Sequence, residues 1–325
     1  MKKYLSELIG IEGHPGEPIK LQGVPVMSSG KKRVNILALG DVGGTLLTGL
    51  KLLGGSQLDT IGIYDVNPKV LARYEYEMNQ TSYPFEYENF PLVKILEERD
   101  LFDCDAFVFC ASRAVPDIES QVDDVRMAQY AANKSIVEYF AAMAGERGFK
   151  GLFAVVSDPV DPLCKAALLG STLEPWQIQG FGLGVMNSRA AYYAKKNQRY
   201  KNFLTDGRAF GPHGEDLVIA DSIEQYDDTV SKELTKLTVE ANLKTREIGF
   251  KPYIAPALSS GAISILLTIS GEWHYSSNYL EKRRKGAFLG AKNRFRKDGL
   301  ELENLLLPEI LFERIKKAYT NLVNL

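Results

Sequence analysis

The stretch from Val34 to Asp65 constrains the fold more than any other part of the chain. An apolar run, Val34-Asn35-Ile36-Leu37-Ala38-Leu39, breaks at Gly40-Asp41-Val42-Gly43-Gly44 and continues through Thr45 to Leu50 with leucines at helical spacing. A second apolar run, Thr60 to Tyr64, ends on Asp65, about 20 residues beyond Gly43. This reads as strand, tight turn, helix, strand, closed by an acid. In such a unit a glycine without a Cβ lets backbone approach a pyrophosphate, and the helix amides face its charge. A carboxylate at the end of the second strand accepts from both hydroxyls of a ribose and repels a 2′-phosphate, so the expected ligand is NAD rather than NADP. Ala38 stands where the G-x-G-x-x-G fingerprint has its first glycine, and Asp41 puts an acid beside the phosphates.

The rest of the chain continues the alternation. Asn67-Pro68 opens a helix through about Met78, Pro84 to Pro91 is extended, and a helix is expected around Leu92 to Arg99. Asp105 to Ala111 and Gly151 to Val156 are apolar runs of buried parallel strands, separated by a long helix from about Arg126 to Arg147. The acidic stretch Ser112 to Val125 falls where open α/β sheets bind ligands and is expected as a lid. The second half reads as α+β: a helix after Gly182, a polar turn Gly211 to Asp216, helices near 230–248 and 257–269, strands near 275–280 and 287–295, and a last helix from Pro308. The expected fold is α/β, a doubly wound Rossmann sheet over residues 33–182 followed by an α+β catalytic domain over 183–325. Residues 1–32, rich in Gly and Pro between Gly10 and Pro25, form an N-terminal arm that is either a loose leader or packs on a neighbouring subunit.

Composition limits the function classes. With 39 basic and 41 acidic residues among 325, the net charge of −2 gives no global attraction to nucleic acid or membrane. The basic cluster Lys282-Arg283-Arg284-Lys285, with Lys292, Arg294, Arg296 and Lys297, reads as solvated strand faces. No apolar run approaches a membrane span, and no signal peptide is evident. Three cysteines, Cys104, Cys110 and Cys164, lack metal spacing and are expected as buried thiols of a cytoplasmic protein. Of three histidines, His213 lies exposed on a Gly/Pro turn where an imidazole can exchange protons near neutral pH. His14 reads as solvated and His274 as structural.

Taken in order, Ala38-x-Gly40-x-x-Gly43 with Asp65, Cys110-Ala111-Ser112, Asn133-Lys134-Ser135-Ile136, Ser157-Asp158-Pro159-Val160-Asp161 and Gly211-Pro212-His213-Gly214 resemble the L-lactate/malate dehydrogenase family. The resemblance implies hydride transfer between NAD and C2 of a small 2-hydroxy or 2-oxo acid, in a homodimer or homotetramer. It implies proton transfer at His213, a carboxylate grip by Arg189 and carbonyl polarisation by Arg126, with Arg113 near the substrate. Cofactor contacts would come from Ala38, Gly40, Asp41, Val42, Gly43, Asp65, Ala111, Ser112 and Ser157.

Two departures matter. The family's histidine-orienting aspartate is replaced by Met186, while the family's asparagine in the Ser-Asn-Pro-Val-Asp turn is Asp158. Asp158 either pairs with His213 in place of the missing acid or caps the helix beginning near Val160. The lid acids Asp117, Glu119, Asp123 and Asp124 disfavour a second substrate carboxylate, hence malate or oxaloacetate. The alternative to an active enzyme is a dinucleotide-binding pseudoenzyme of the same family.

Overall fold

The computed structural model describes residues 2–113, 125–282 and 285–325, and the backbone alone for 125–129. Strands β1 (Lys2–Tyr4) and β2 (Ile19–Leu21) precede the alternating unit β3 (Lys32–Leu37), α1 (Asp41–Leu53), β4 (Leu58–Tyr64), α2 (Pro68–Asn79) and β5 (Leu92–Ile95). It continues as β6 (Ala106–Phe109), α3 (Val125–Glu146), β7 (Leu152–Val155), α4 (Val160–Leu169) and β8 (Ile178–Gly180). The second half contains α5 (Leu183–Lys196), α6 (Phe203–Asp206), β9 (Arg208–Phe210), β10 (Val218–Ala220), α7 (Asp228–Glu247) and a π-helical segment, Pro256–Ile263. It closes with α8 (Ser264–Ile269), β11 (His274–Lys282), β12 (Lys285–Arg296), β13 (Gly299–Leu302), β14 (Leu306–Pro308) and α9 (Glu309–Asn324).

Among the described residues ten strands form one sheet in the order β2-β13-β12-β11-β8-β7-β6-β3-β4-β5. From β8 to β5 the neighbours are parallel, and the order reverses between β3 and β6. This is the doubly wound α/β arrangement, and its crevice opens beyond the C-terminal ends of β3 and β6. Helices cover both faces, which is why Val34, Ile36, Phe107, Phe109 and Phe153 read as continuous apolar runs and are fully buried. The antiparallel hairpin β11–β12 joins the parallel part where Ser277 pairs with Gly180. One sheet thus spans both halves.

Local chemistry fixes the helix starts. Asn67 caps α2 by accepting from Lys69 N at 3.0 Å, with Pro68 at the first position, and Asp227 caps α7 through Thr229 N and Val230 N.

Two expectations are corrected. Residues 92–95 form a strand on the outer side of β4, where a helix is expected from Leu92, Ile95 and Leu96. The i, i+3, i+4 spacing there is helical, but only Val93 of the strand is buried and the free edge of β4 takes up the backbone. The arm packs on its own chain: β1 pairs with β14, β2 forms the outer edge beside β13, Leu5 and Leu8 are buried, and Asp105 accepts from Ser28 N, Ser28 Oγ and Arg33 N.

Among the described residues no helix is long and apolar enough to cross a membrane, and no group of His, Cys, Asp or Glu is arranged to hold a metal. All three cysteines are free, Cys164 being fully buried. Lys292, Arg294 and Arg296 of the basic cluster pair with Glu303 and Glu301. Arg283 and Arg284 lie outside the described residues.

Candidate active site

The crevice is built by four turns that leave the parallel strands at their C-terminal ends. After β3, Ala38-Leu39-Gly40 turns into α1 with Gly40 at the cap position and no side chain capping the helix. A Cβ added at Gly40 would meet nothing within 4 Å, so the space over the first amides is open. At Gly43 a Cβ would come within 1.9 Å of Ala38 O, so the helix sits against the strand only because that residue is glycine. Ala38 has φ of 72°, the left-handed conformation that the missing fingerprint glycine would adopt without strain.

After β4, Asp65 accepts from Leu39 N at 2.7 Å and from Asn67 N at 2.9 Å. Its carboxylate is thereby fixed against the glycine turn, with further lone pairs left for a ribose. The open cradle over Gly40, the uncapped helix start and the oriented acid fit the diphosphate and adenosine ribose of a dinucleotide. Asp41 points outward and pairs with Lys251 at 3.2 Å.

The turns after β6 and β7 are tied together. Ser157 Oγ donates to Ala111 O at 2.7 Å. Asn133, buried within α3, accepts from Arg113 N at 2.9 Å and donates to Asp158 O at 2.9 Å and to Ser112 Oγ at 3.2 Å. An amide inside a helix competes with its backbone; here it anchors Ser112, Arg113 and Asp158 in one arrangement.

The proton-transfer candidate comes from the second half. The hairpin of β9 and β10 carries His213 on its turn, with Gly211 at φ 91°. A Cβ at Gly182 would lie 2.7 Å from His213 Cβ, so that glycine lets the turn close on the sheet. His213 Nδ1 lies 3.1 Å from Asp158 Oδ1, with side-chain exposures of 15% and 48%. The helix-cap alternative is not adopted, because the cap residue of α4 is Pro159 and no side chain caps the helix.

Arg189, on α5, is half-buried, and its Nη1 lies 3.7 Å from Met186 Sδ. Burial pushes its guanidinium below the ordinary arginine range, opposed first by Asp158 and then by Tyr193. The structure therefore brings His213, Asp158 and Arg189 to one end of the crevice, and Gly40, Gly43, Ala38 and Asp65 to the other. Val42 follows in the first turn of α1. The side chain of Arg126 and the lid acids Asp117, Glu119, Asp123 and Asp124 lie outside the described residues.

Asp161 is a residue that the motif contains without a role. It is buried in the first turn of α4, and burial pushes its carboxyl up to about 6, opposed first by the Ser277 side chain and then by His213. Its Oδ1 is buried without a hydrogen-bond partner among the described residues. The other two histidines stand apart. His14 is exposed; His274 is buried between Thr268 Oγ1 at 2.8 Å and Glu272 O at 3.0 Å, and burial lowers it to about 4.

No protein-family model matches the sequence. The chain is 28% identical over 191 residues to an L-lactate dehydrogenase of Treponema denticola, covering 58% of this chain and 57% of that one. It is 26% identical over 268 residues to a malate dehydrogenase of Sulfurimonas denitrificans, covering 77% and 80%. The fold matches the crystal structure of a lactate dehydrogenase from a Medee basin deep-sea metagenome library with a TM-score of 0.73 and 16% identity, over 91% of this chain and 97% of that one. In sequence the chain is similar to lactate and malate dehydrogenases, and its fold is the one found in their structures. The match to the curated lactate dehydrogenase spans somewhat over half of that protein's length. Within the family pattern, the acid lost at Met186 and the acid present at Asp158 are the departures that bear directly on His213.

Proposed function

We propose that the chain is an NAD-dependent oxidoreductase of the lactate-dehydrogenase type, acting on the CH–OH group of a small 2-hydroxy acid or its 2-oxo counterpart. The observation that carries this reading is the Asp158–His213 contact of 3.1 Å beside Arg189, at the C-terminal edge of a doubly wound sheet. A nicotinamide bound in this crevice would supply or accept the hydride at C2. Residues 33–182 hold the cofactor: Gly40, Asp41, Val42 and Gly43 at the pyrophosphate, Ala38 at the turn, Asp65 at the adenosine ribose, and Ala111, Ser112 and Ser157 along the crevice. Residues 183–325 supply most of the substrate side.

Each remaining step belongs to a named side chain. Arg189 holds the substrate carboxylate by two parallel hydrogen bonds. His213 gives a proton to the C2 oxygen during reduction and takes it back during oxidation, and Asp158 stabilises the imidazolium that this exchange requires. Arg126, by family resemblance, polarises the carbonyl, and Arg113 borders the substrate. The lid acids favour a monocarboxylate over oxaloacetate. Asp65 favours NAD over NADP. The working form is a cytoplasmic homodimer or homotetramer with no nucleic-acid or membrane partner.

The test is a panel of 2-oxo acids scored by loss of NADH absorbance. Turnover of pyruvate or a longer neutral analogue, faster than of oxaloacetate and faster with NADH than NADPH, is the expected result. A second reading, a dinucleotide-binding pseudoenzyme, is favoured by Met186 in the place of the family's acid. NADH binding without turnover of any 2-oxo acid would establish it.

A further inference from the structure

Asp41, the first residue of α1, stands directly after Gly40, where the proposed cofactor sets its pyrophosphate. A carboxylate at this position favours the helix itself, because it faces the positive end of the helix dipole. For the same reason it opposes any phosphate drawn to those amides. A dinucleotide site with an unanswered acid here would bind its ligand poorly.

The answering charge comes from the other half of the chain. Lys251 Nζ lies 3.2 Å from Asp41 Oδ2, although 210 residues separate them. Lys251 precedes the π-helical segment, and Tyr253 N donates to Lys251 O at 3.1 Å, folding the lead-in. That segment lies directly on α1: a Cβ at Gly49 would come within 2.7 Å of Ala262 Cβ and 2.8 Å of Leu258 Cδ2, and one at Gly261 within 2.6 Å of Leu46 Cδ1. With no room for a Cβ at either glycine, the segment packs closely on α1 and positions the chain that leads into it from Lys251. The two side chains are 79% and 50% exposed, so the pair contributes little to stability. What it does is hold an exposed ammonium on the residue that follows Gly40, next to the open space over that glycine.

We propose that Lys251 is a pyrophosphate-binding residue, kept beside the glycine turn by Asp41 and transferred to the diphosphate when the dinucleotide binds. This rests on the cofactor reading above. In it, the second half of the chain contributes a cation to a site otherwise built by the first, and Asp41 both parks that cation and sets a repulsion that only the cation offsets.

The test uses the full chain and fluorescence titration with NADH, with ADP and adenosine as calorimetric probes. Lys251→Gln should weaken NADH and ADP about 5-fold in low salt, less at high salt, and leave adenosine unchanged, since adenosine has no phosphate. Asp41→Asn should tighten NADH about 2-fold in the wild-type background and by more in the Lys251→Gln background, where the carboxylate has lost its partner. The ligand-free melting temperature of each variant should stay within about 1 °C, as for other exposed pairs. NADH and ADP binding unchanged by Lys251→Gln, or adenosine weakened equally, overturns the inference alone. Wild-type protein that binds neither NADH nor ADP overturns the cofactor reading and this inference with it.

Discussion

Replacing Asp158 by Asn keeps the shape of the turn and removes one charge. The carboxylate lies 3.1 Å from His213 Nδ1, and its backbone carbonyl, held by Asn133, is untouched by the change. At that separation a full charge pair is worth about 1 kcal/mol in water and about 5 kcal/mol at an effective dielectric of ~20. Asp158 is 48% exposed, which places the pair toward the lower limit. A charge-assisted hydrogen bond in such a setting contributes about 1.5–3 kcal/mol, or roughly a 10- to 150-fold loss in turnover when the imidazolium loses its counter-charge. The same acid faces Arg189, whose guanidinium it supports. Removing it relieves repulsion on a substrate carboxylate held there, so KM should fall together with kcat. The assay is steady-state NADH oxidation with the best 2-oxo acid, beside Asp158→Glu and a thermal melt. Turnover of Asp158→Asn within about 3-fold of wild type, with the fold intact, would refute the argument that this carboxylate serves the imidazolium.

Four other outcomes are expected. Ala38→Gly removes a left-handed alanine at a strain of about 1–2 kcal/mol and adds unfolded-state entropy worth about 0.4–1 kcal/mol, so calorimetry should record a net gain of about 0.5 kcal/mol. Asp65→Asn, which keeps an acceptor for Leu39 N, should lower the preference for NADH over NADPH about 10-fold or more in binding titrations. Asp161 titrates near 6 in the fold against an ordinary 3.8, so the folded state keeps its proton longer and wild-type stability falls as pH rises between about 4 and 6. Asp161→Asn should therefore gain on wild type by up to ~3 kcal/mol across that window in urea melts. His274 is lowered from 6.5 to about 4, so the stability it contributes is full above about 6.5 and is lost as pH falls to about 4; His274→Gln should flatten that acid limb in the same melts.

What the sequence makes legible is what local pattern and chemistry decide. The glycine turn and Asp65 are readable because a change from strand to helix period brackets them, and the structure ties Asp65 to Leu39 N across that turn. The contact between Asp158 and His213 spans 55 residues, yet the loss of an acid at Met186 and its gain in another turn of the crevice point to it. The arm is not readable in this way, since its partners, Leu306 to Pro308 and the 300–302 strand, lie almost a chain length away. Residues 92–95 mislead because their apolar spacing is helical while an open strand edge decides their conformation. Lys251 meets Asp41 only through the packing of the π-helical segment on α1, which no local signal announces. Asn133 offers a faint one, an amide within a long helix, where side-chain competition with the backbone asks for a compensating use.

The turn Asp158-Pro159-Val160-Asp161 accounts for how an acid comes to lie beside the ring of His213. Pro159 has no N–H to give and stands at the cap of α4, so the residue before it is left outside the helix and meets the ring of His213. The residue two beyond it enters the first helical turn and is drawn into the interior. One acid is thereby directed at the ring of His213 and the other at its backbone, from opposite sides of a single proline. The division of labour follows from burial. The buried acid resists ionisation, whereas the exposed acid can hold a charge near the ring without a large desolvation cost. On a half-exposed turn the Asp158 charge is screened by water, which weakens its pull on the ring. The same charge lies near Arg189 and favours its guanidinium, against the burial that disfavours it.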